Sequence, residues 1–433
     1  MKRTNLLLLI SVLFCANIYA QEKGQAYKEY SRSSIASLNI YHPEDSMGQT
    51  IFDAFMAIPV PDKFDDHNVN VKYITNSDIT GARKRKNGLI KAKLGKILSK
   101  KDVEKNANAL LTFMNNNDLA TYYVAKWFNL HGDSTTDATF NMDLVADRGY
   151  YNASEIDVKV AQQSARGMAL LADAGEELIK NTYVLVNDIT YIPEEERAMI
   201  RKMTVGILVA TLDALLYGDK AGAMTEGYMK FEDSRTGFAL KNHSYLFRLK
   251  WDDEVAGKFY NDYYTDEPNE EKILAFFNDT TTFKLEYVGH VFDRDVETGT
   301  KGNVNHKRMM EILVTRSVDK NVASLQKEHE EFRVKEPIFE ILYNKKGKCV
   351  GYAAKIGEKE GIESGSKFEI LQRKFDEETG KTTYRRIGTT KATKIWNNKF
   401  GAADLGEKGT EDGYTTFKKI SAEVLPGMLI REL

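Results

Sequence analysis

With 433 residues, 42% of them hydrophobic and 29% charged, the chain has enough apolar material to bury two or three domain cores. A formal net charge of -2 excludes the strongly basic balance of a nucleic-acid binder and the acidic balance of a polyanion. Seven prolines, no low-complexity stretch and no evident repeat mark a chain that is globular along nearly all of its length.

The N-terminus reads Met1, Lys2, Arg3, then an apolar run from Leu6 to Cys15, then small and polar residues ending at Ala20. A basic start, a short apolar core and a small residue before the cut form a secretory signal, with cleavage expected near Ala20. Its apolar run of about ten residues falls short of the roughly twenty a bilayer span needs. Cys15 raises the alternative of a lipoprotein, but Phe14 stands where lipid processing needs a small residue, so free release is the expectation. Removal of the signal leaves Cys349 as the sole cysteine and excludes an intramolecular disulfide.

Residues 21–80 read as an irregular lead-in with one short helix near Ile51 to Ala57, broken at Pro59 and Pro61. Residues 81–116 form a basic helical segment. Arg83, Lys84, Arg85, Lys86, Lys91, Lys93, Lys96, Lys100 and Lys101 follow one another with no acid among them, interleaved with Leu89, Ile90, Leu94, Ile97 and Leu98. Such a helix suits an anionic membrane surface or an acidic partner, or packs its apolar side while its lysines are solvated.

Thr121 to Phe128 is aromatic and β-branched and suits a strand. Asp147, Arg148, Gly149 and Tyr150 read as a polar turn before a long helix that starts at Ser154, with Asp157 completing a capping box, and runs to about Lys180. Arg148 there either clamps an anion at the helix start or forms an internal ion pair. Thr182 to Ile192 reads as a strand. Pro193 and Glu194, Glu195 and Glu196 then start a helix that should stop at Gly218. Its apolar stretch Met203 to Tyr217 is too short for a membrane, contains Asp213, and is expected to be a buried core helix.

A strand follows at Ser244 to Trp251, a helix near Glu270 to Phe277, a second alternating strand at Thr282 to Phe292, and a helix at Lys307 to Phe332. This order predicts an α+β domain over 21–335, with helices packed on a mixed or antiparallel sheet. From Glu336 short apolar strands alternate with glycine and charged turns, which predicts a small all-β barrel or sandwich domain over 336–433.

In that region Ile356, Gly357, Gly361, Ile362, Gly365, Phe368, Glu369 and Ile370 resemble small β-barrel modules of Gram-negative envelope proteins. Together with the tract from Trp127 and Phe128 through Asp147 to Ser154 and on to Ile179, the chain resembles exported Gram-negative proteins with an α+β domain before a small C-terminal barrel. That resemblance implies architecture and a periplasmic or outer-membrane address only, and no catalytic residue carries over from it.

No zincin histidine pair, phosphate-binding glycine loop or serine elbow appears. Asp65, Asp66 and His67, and His42 with Glu44 and Asp45, group possible ligands on neighbouring residues whose side chains diverge, so no metal is expected. Asp293, Asp295 and Glu297 lack the glycine spacing and closing glutamate of a calcium loop and read as a turn. Cys349 reads as a small apolar filler of a strand.

The sequence therefore points to an exported envelope protein without a cofactor, a non-enzymatic binding or assembly factor whose partner is another envelope protein. The alternatives are an exported hydrolase using carboxylates such as Asp188, Asp252, Asp253 and Glu254, or a membrane-surface protein using the basic segment.

Overall fold

A computed structural model of the chain describes residues 33–61, 63–81, 98–152, 178–218, 221–233, 237–297, 305–333, 335–375, 382–408 and 412–433. The N-terminal signal, Arg83 to Lys96 and the expected Ser154 helix lie outside them.

The fold starts inside the stretch read as an irregular lead-in. Residues Ser34–Tyr41 (β1) alternate in burial partners: Ala36, Leu38 and Ile40 join one core and Ile35 another. A strand buried on both faces cannot show the polar alternation by which a half-exposed strand is recognised. Gly48–Met56 (α1) is the short helix the sequence predicts, and the minor strands Asp65–Asp66 (β2) and Tyr73–Thr75 (β3) both pair in parallel with β1. A one-and-a-half-turn helix, Asn76–Gly81 (α2), follows.

Lys100–Asn116 (α3) is capped by the Ser99 hydroxyl, which accepts from the Asp102 amide. Asp118, in the left-handed region at φ 51°, turns the chain into Leu119–Trp127 (α4). Here the structure corrects the expected strand at Thr121 to Phe128. Ala120, Tyr123, Val124 and Trp127 are buried at helical spacing, and the helix is apolar nearly all round because it lies between the sheet and other helices. Asp143–Asn152 (α5) likewise replaces the turn expected around Arg148.

Thr182–Pro193 (β4), Phe238–Leu249 (β5) and Leu285–Glu297 (β6) are the three expected strands; β5 starts six residues before Ser244, and β6 runs on through Asp293 and Asp295 where a turn was expected. Between β4 and β5 stand Glu194–Tyr217 (α6) and Ala223–Asp233 (α7). Asp253–Lys258 (α8) and Glu270–Asn278 (α9) separate β5 from β6, and His306–Glu328 (α10) follows, capped by Asn305.

The resulting sheet is mixed: β1 is parallel to β2, β3 and β4, whereas β4, β5 and β6 are antiparallel. One face packs α3 and α4 through Leu110, Met114, Tyr123 and Trp127. The other packs α1 and α10 through Ile51, Phe55, Met310, Val314 and Leu325. This is the predicted α+β class, with helices on both faces of the sheet.

The C-terminal region forms two small sheets around one core of Ile338, Tyr352, Ile356, Phe368, Ile370, Phe417 and Ile430. Lys335–Pro337 (β7), Lys367–Phe375 (β10), Thr382–Lys391 (β11) and Leu429–Glu432 (β13) make the first. Glu340–Tyr343 (β8), Cys349–Ala354 (β9) and Thr415–Lys418 (β12) make the second. The sheets do not close into a barrel, which corrects that expectation, because β8 and β11 end their sheets without pairing to each other.

This region is clamped to α10. Arg316 grips Glu407 through two hydrogen bonds of 2.8 and 3.1 Å and donates a third, of 2.8 Å, to the Phe400 carbonyl. Those bonds, with Lys399 nearby, hold Glu407 down at about 2. A carboxyl depressed on folding contributes stability that is complete above its unfolded value and lost as pH falls toward the folded one. Glu407→Gln should therefore cost about 1–3 kcal/mol at pH 7. In urea unfolding its difference from wild type should shrink steadily between about pH 5 and pH 2.

Candidate functional site

β1 ends at Tyr41 while β4 runs on to Pro193, and the residues just past their last shared pair, Asn39 with Asn187, bring two distant polar groups together. His42 Nε2 lies 2.6 Å from Asp188 Oδ1, both side chains buried, and Glu44 Oε1 lies 3.3 Å from the other ring nitrogen. Asp188 pairs across the antiparallel ladder with His243, whose Nδ1 is 2.9 Å from His290 Nε2. Phe292 and Tyr245 flank the two rings, and the Tyr245 hydroxyl accepts from Asn106 of α3 at 3.3 Å.

Burial lowers both His243 and His290, the latter to about 4 with the help of its neighbour His243, so this pair is neutral at physiological pH. An imidazole held between two carboxylates can donate to both and ties the turn after β1 to β4. It is an anchor, since both His42 nitrogens are already engaged by carboxylates. The sequence singles out Asp188 for its place near a strand end. Its partner lies 146 residues earlier, and no local pattern announces it.

The other carboxylates named for a hydrolase do not join Asp188. Asp252 caps α8 by accepting from the Val255 amide at 3.0 Å, with Asp253 and Glu254 in that helix's first turn. They follow the C-terminal end of β5, which lies about 20 Å along the strand from His243 at the usual rise per residue. Asp293 and Asp295 share one side of β6 against Lys320, and burial first, then Asp295, raises Asp293. Among the described residues no three histidines, cysteines or acids gather as a metal-binding set.

Arg148 is buried on α5 and spends its guanidinium inside the fold. It donates to the Ser34 hydroxyl at 2.5 Å and to the Asp66 carbonyl at 3.3 Å, and lies 3.5 Å from Asp65. It also stacks 4.2 Å over Trp127 and sits 3.3 Å from His67 Nδ1. Burial and then Arg148 push His67 well down, and its Nε2 lies 2.9 Å from the Tyr123 carbonyl. The geometry is that of an internal ion pair, and it takes His67 and Asp65 out of any cation site. Cys349 is half-buried against the C-terminal core. Of the basic segment, Arg83, Lys84, Arg85, Lys86, Lys91, Lys93 and Lys96 lie outside the described residues.

The sharpest departure from expectation is α6. Its stretch Met203 to Tyr217 is not a buried core helix: Ile207 is 64% exposed, Leu208 69% and Leu215 80%, and Met199, Met203, Leu216 and Tyr217 are each more than half exposed. The helix leaves the sheet at Pro193 and pairs with α7 alone along most of its length. At its base Glu194 pairs with Arg197 at 2.6 Å and with Arg201, which in turn holds Glu232 of α7. Midway, Gly206 lets Met229 and Tyr228 approach closely. At the tip, the Asp213 carboxylate accepts from the Gly222 and Thr225 amides, each at 2.9 Å, and from the Thr225 hydroxyl at 2.7 Å. Those Thr225 bonds hold Asp213 below the usual carboxylate range. Between Met203 and Tyr217 the one charged side chain, Asp213, is thus turned onto α7, and the exposed residues are apolar apart from Thr204 and Thr211.

The chain matches no family model and no curated protein.

Removing one half of a buried hydrogen-bonded pair strands the other. Asp188→Ala should lower stability by about 1–3 kcal/mol, and Asp188→Asn, which keeps a hydrogen-bonding group, by less. Urea unfolding of both variants beside wild type measures the order.

Proposed function

We propose that the chain is an exported binding or assembly factor of the bacterial cell envelope, working by association through the outer face of the α6–α7 hairpin. The observation that carries this reading is the exposed apolar side of α6. Folded monomers rarely show a contiguous apolar surface of more than a few hundred Å2, and larger ones mark sites of association. The fitting partner is a protein helix, since α6 offers knobs at helical spacing and no charge for an ionic ligand. The sequence features of a secretory signal, Met1 to Ala20, support the envelope address.

An exported hydrolase built on Asp188 has the His42 hydrogen bond in its favour. Against it, both His42 nitrogens face carboxylates and the remaining candidate acids follow the other end of β5. A membrane-surface role would rest on the basic segment before α3. None of the described helices is long and apolar enough to cross a membrane.

The test is a triple change, Leu208→Glu, Leu212→Glu and Leu215→Glu, in the tagged protein in its own cells. These side chains are exposed, so the fold should persist, as circular dichroism of the purified variant would verify. Native electrophoresis of detergent-free extracts should show wild type in a larger complex and the variant in a smaller one. Equal sizes for both would overturn the docking role.

A further inference from the structure

We infer that the seam between α10 and the C-terminal region is a binding site for a free α-amino acid with a large apolar side chain, a site separate from the docking role proposed for the hairpin. The seam encloses a cavity of about 300 Å3. That is the lower end of the range for small-molecule sites, which favour the interfaces between domains and combine an apolar lining with a few convergent polar groups. A cavity of this size admits one small molecule and excludes a two-chain lipid.

Its floor is apolar. Ile356, Ile362, Phe368 and Ile430 reach it from the C-terminal core, each no more than 3% exposed. A leucine or phenylalanine side chain placed on that floor leaves water for a dry apolar surface.

The rim carries both signs of charge, close together. Lys327 Nζ, at the end of α10, lies 3.8 Å from Glu432 Oε1 of β13 and donates to the Gly361 carbonyl at 2.8 Å. Gly361, at φ 73°, lets its loop approach α10 this closely. Among the described residues, the Arg333 guanidinium donates one hydrogen bond, to the Lys327 carbonyl at 3.1 Å, and has further N–H groups to offer. The other two acids at the cavity are engaged within the fold. Glu336 accepts from Lys63 at 2.8 Å, and Glu360 accepts from the Gly357 amide at 2.7 Å and from Asn398 at 2.9 Å. Burial raises Glu432 in spite of Lys327, so its charge is incompletely answered where it stands.

This pattern selects among ligands. A simple carboxylate on Arg333 and Lys327 would face Glu432, and a simple amine on Glu432 would face Lys327. An α-amino acid sets an ammonium and a carboxylate one carbon apart, which suits opposed groups 3.8 Å from each other, and its side chain leaves that same carbon for the floor. In a peptide the two charged ends stand at least one residue further apart.

The experiment is isothermal titration calorimetry of the purified protein with L-phenylalanine and L-leucine, beside L-alanine and 3-phenylpropanoate. The first two should bind with dissociation constants below about 1 mM. L-alanine, which lacks the tail, and 3-phenylpropanoate, which lacks the ammonium, should each bind about tenfold more weakly or less. Arg333→Ala should weaken L-phenylalanine by about tenfold. Glu432→Gln should weaken L-phenylalanine and strengthen 3-phenylpropanoate, a reversal that a loss of structure would not produce.

Absence of binding heat with both L-phenylalanine and L-leucine at about 10 mM overturns the inference. So does equal binding of L-phenylalanine and 3-phenylpropanoate by wild type, or an undiminished preference for the amino acid in Glu432→Gln. The glutamate changes in α6 should leave amino-acid binding as it is, so failure of the docking role and failure of this site are read separately.

Discussion

The long antiparallel ladder between β4 and β5, paired from Tyr183 with Arg248 to Pro193 with Phe238, is the constraint on which the other parts depend. Its two faces feed two cores: Val184, Val186, Tyr245 and Phe247 on one side, Tyr183, Leu185, Leu240 and Leu246 on the other. Its register sets Asp188 against His243 and Asn187 against Ser244. A slip of one residue would turn every one of these side chains to the opposite face. The ladder also ends where the hairpin begins, and Arg197 of α6 donates to the Phe238 carbonyl at 3.0 Å, so the direction of the hairpin is fixed by the end of the sheet.

Elements with strong local punctuation were legible. Pro193 with three glutamates and Gly218 bracket α6, because proline and carboxylates suit a helix start and glycine its end. The alternation of β5 and the three-four spacing of α10 are equally local. What was not legible depended on burial from two sides. In α4, Tyr123, Val124 and Trp127 are residues that favour strands by propensity, and packing on both flanks of a short helix overrides that preference. β1 hid for the same reason, carrying Ser34 and Asn39 fully buried beside its apolar residues.

Burial of α6 was misread for a related cause. Hydrophobic content tells how much a helix gains by being covered, and it does not tell what covers it. Of the polar sites, Asp188 was singled out as an acid near a strand end though it lies in the middle of β4, and His42 was invisible as its partner because the contact is made by parallel pairing across a long crossover. Arg148 was recognised as either an anion clamp or an internal pair, and Trp127, Ser34 and Asp66 around it are consistent with the second.

The hairpin is built so that its apolar side need not fold back onto the sheet. The Glu194, Arg201 and Glu232 chain secures its base, Gly206 allows a close helix crossing, and Asp213 satisfies the start of α7 at the far end. A pair of helices tied at both ends in this way spends its ionic groups on each other, and the apolar side chains are what it leaves in water. Each large apolar side chain left in water forgoes about 1.5–3 kcal/mol of burial free energy. Summed over the half- to four-fifths-exposed side chains from Met203 to Tyr217, that forgone energy is comparable to the typical net stability of a domain. A hairpin with such a face leaves apolar surface in water, and association of the kind proposed would cover it without altering the sheet that carries it.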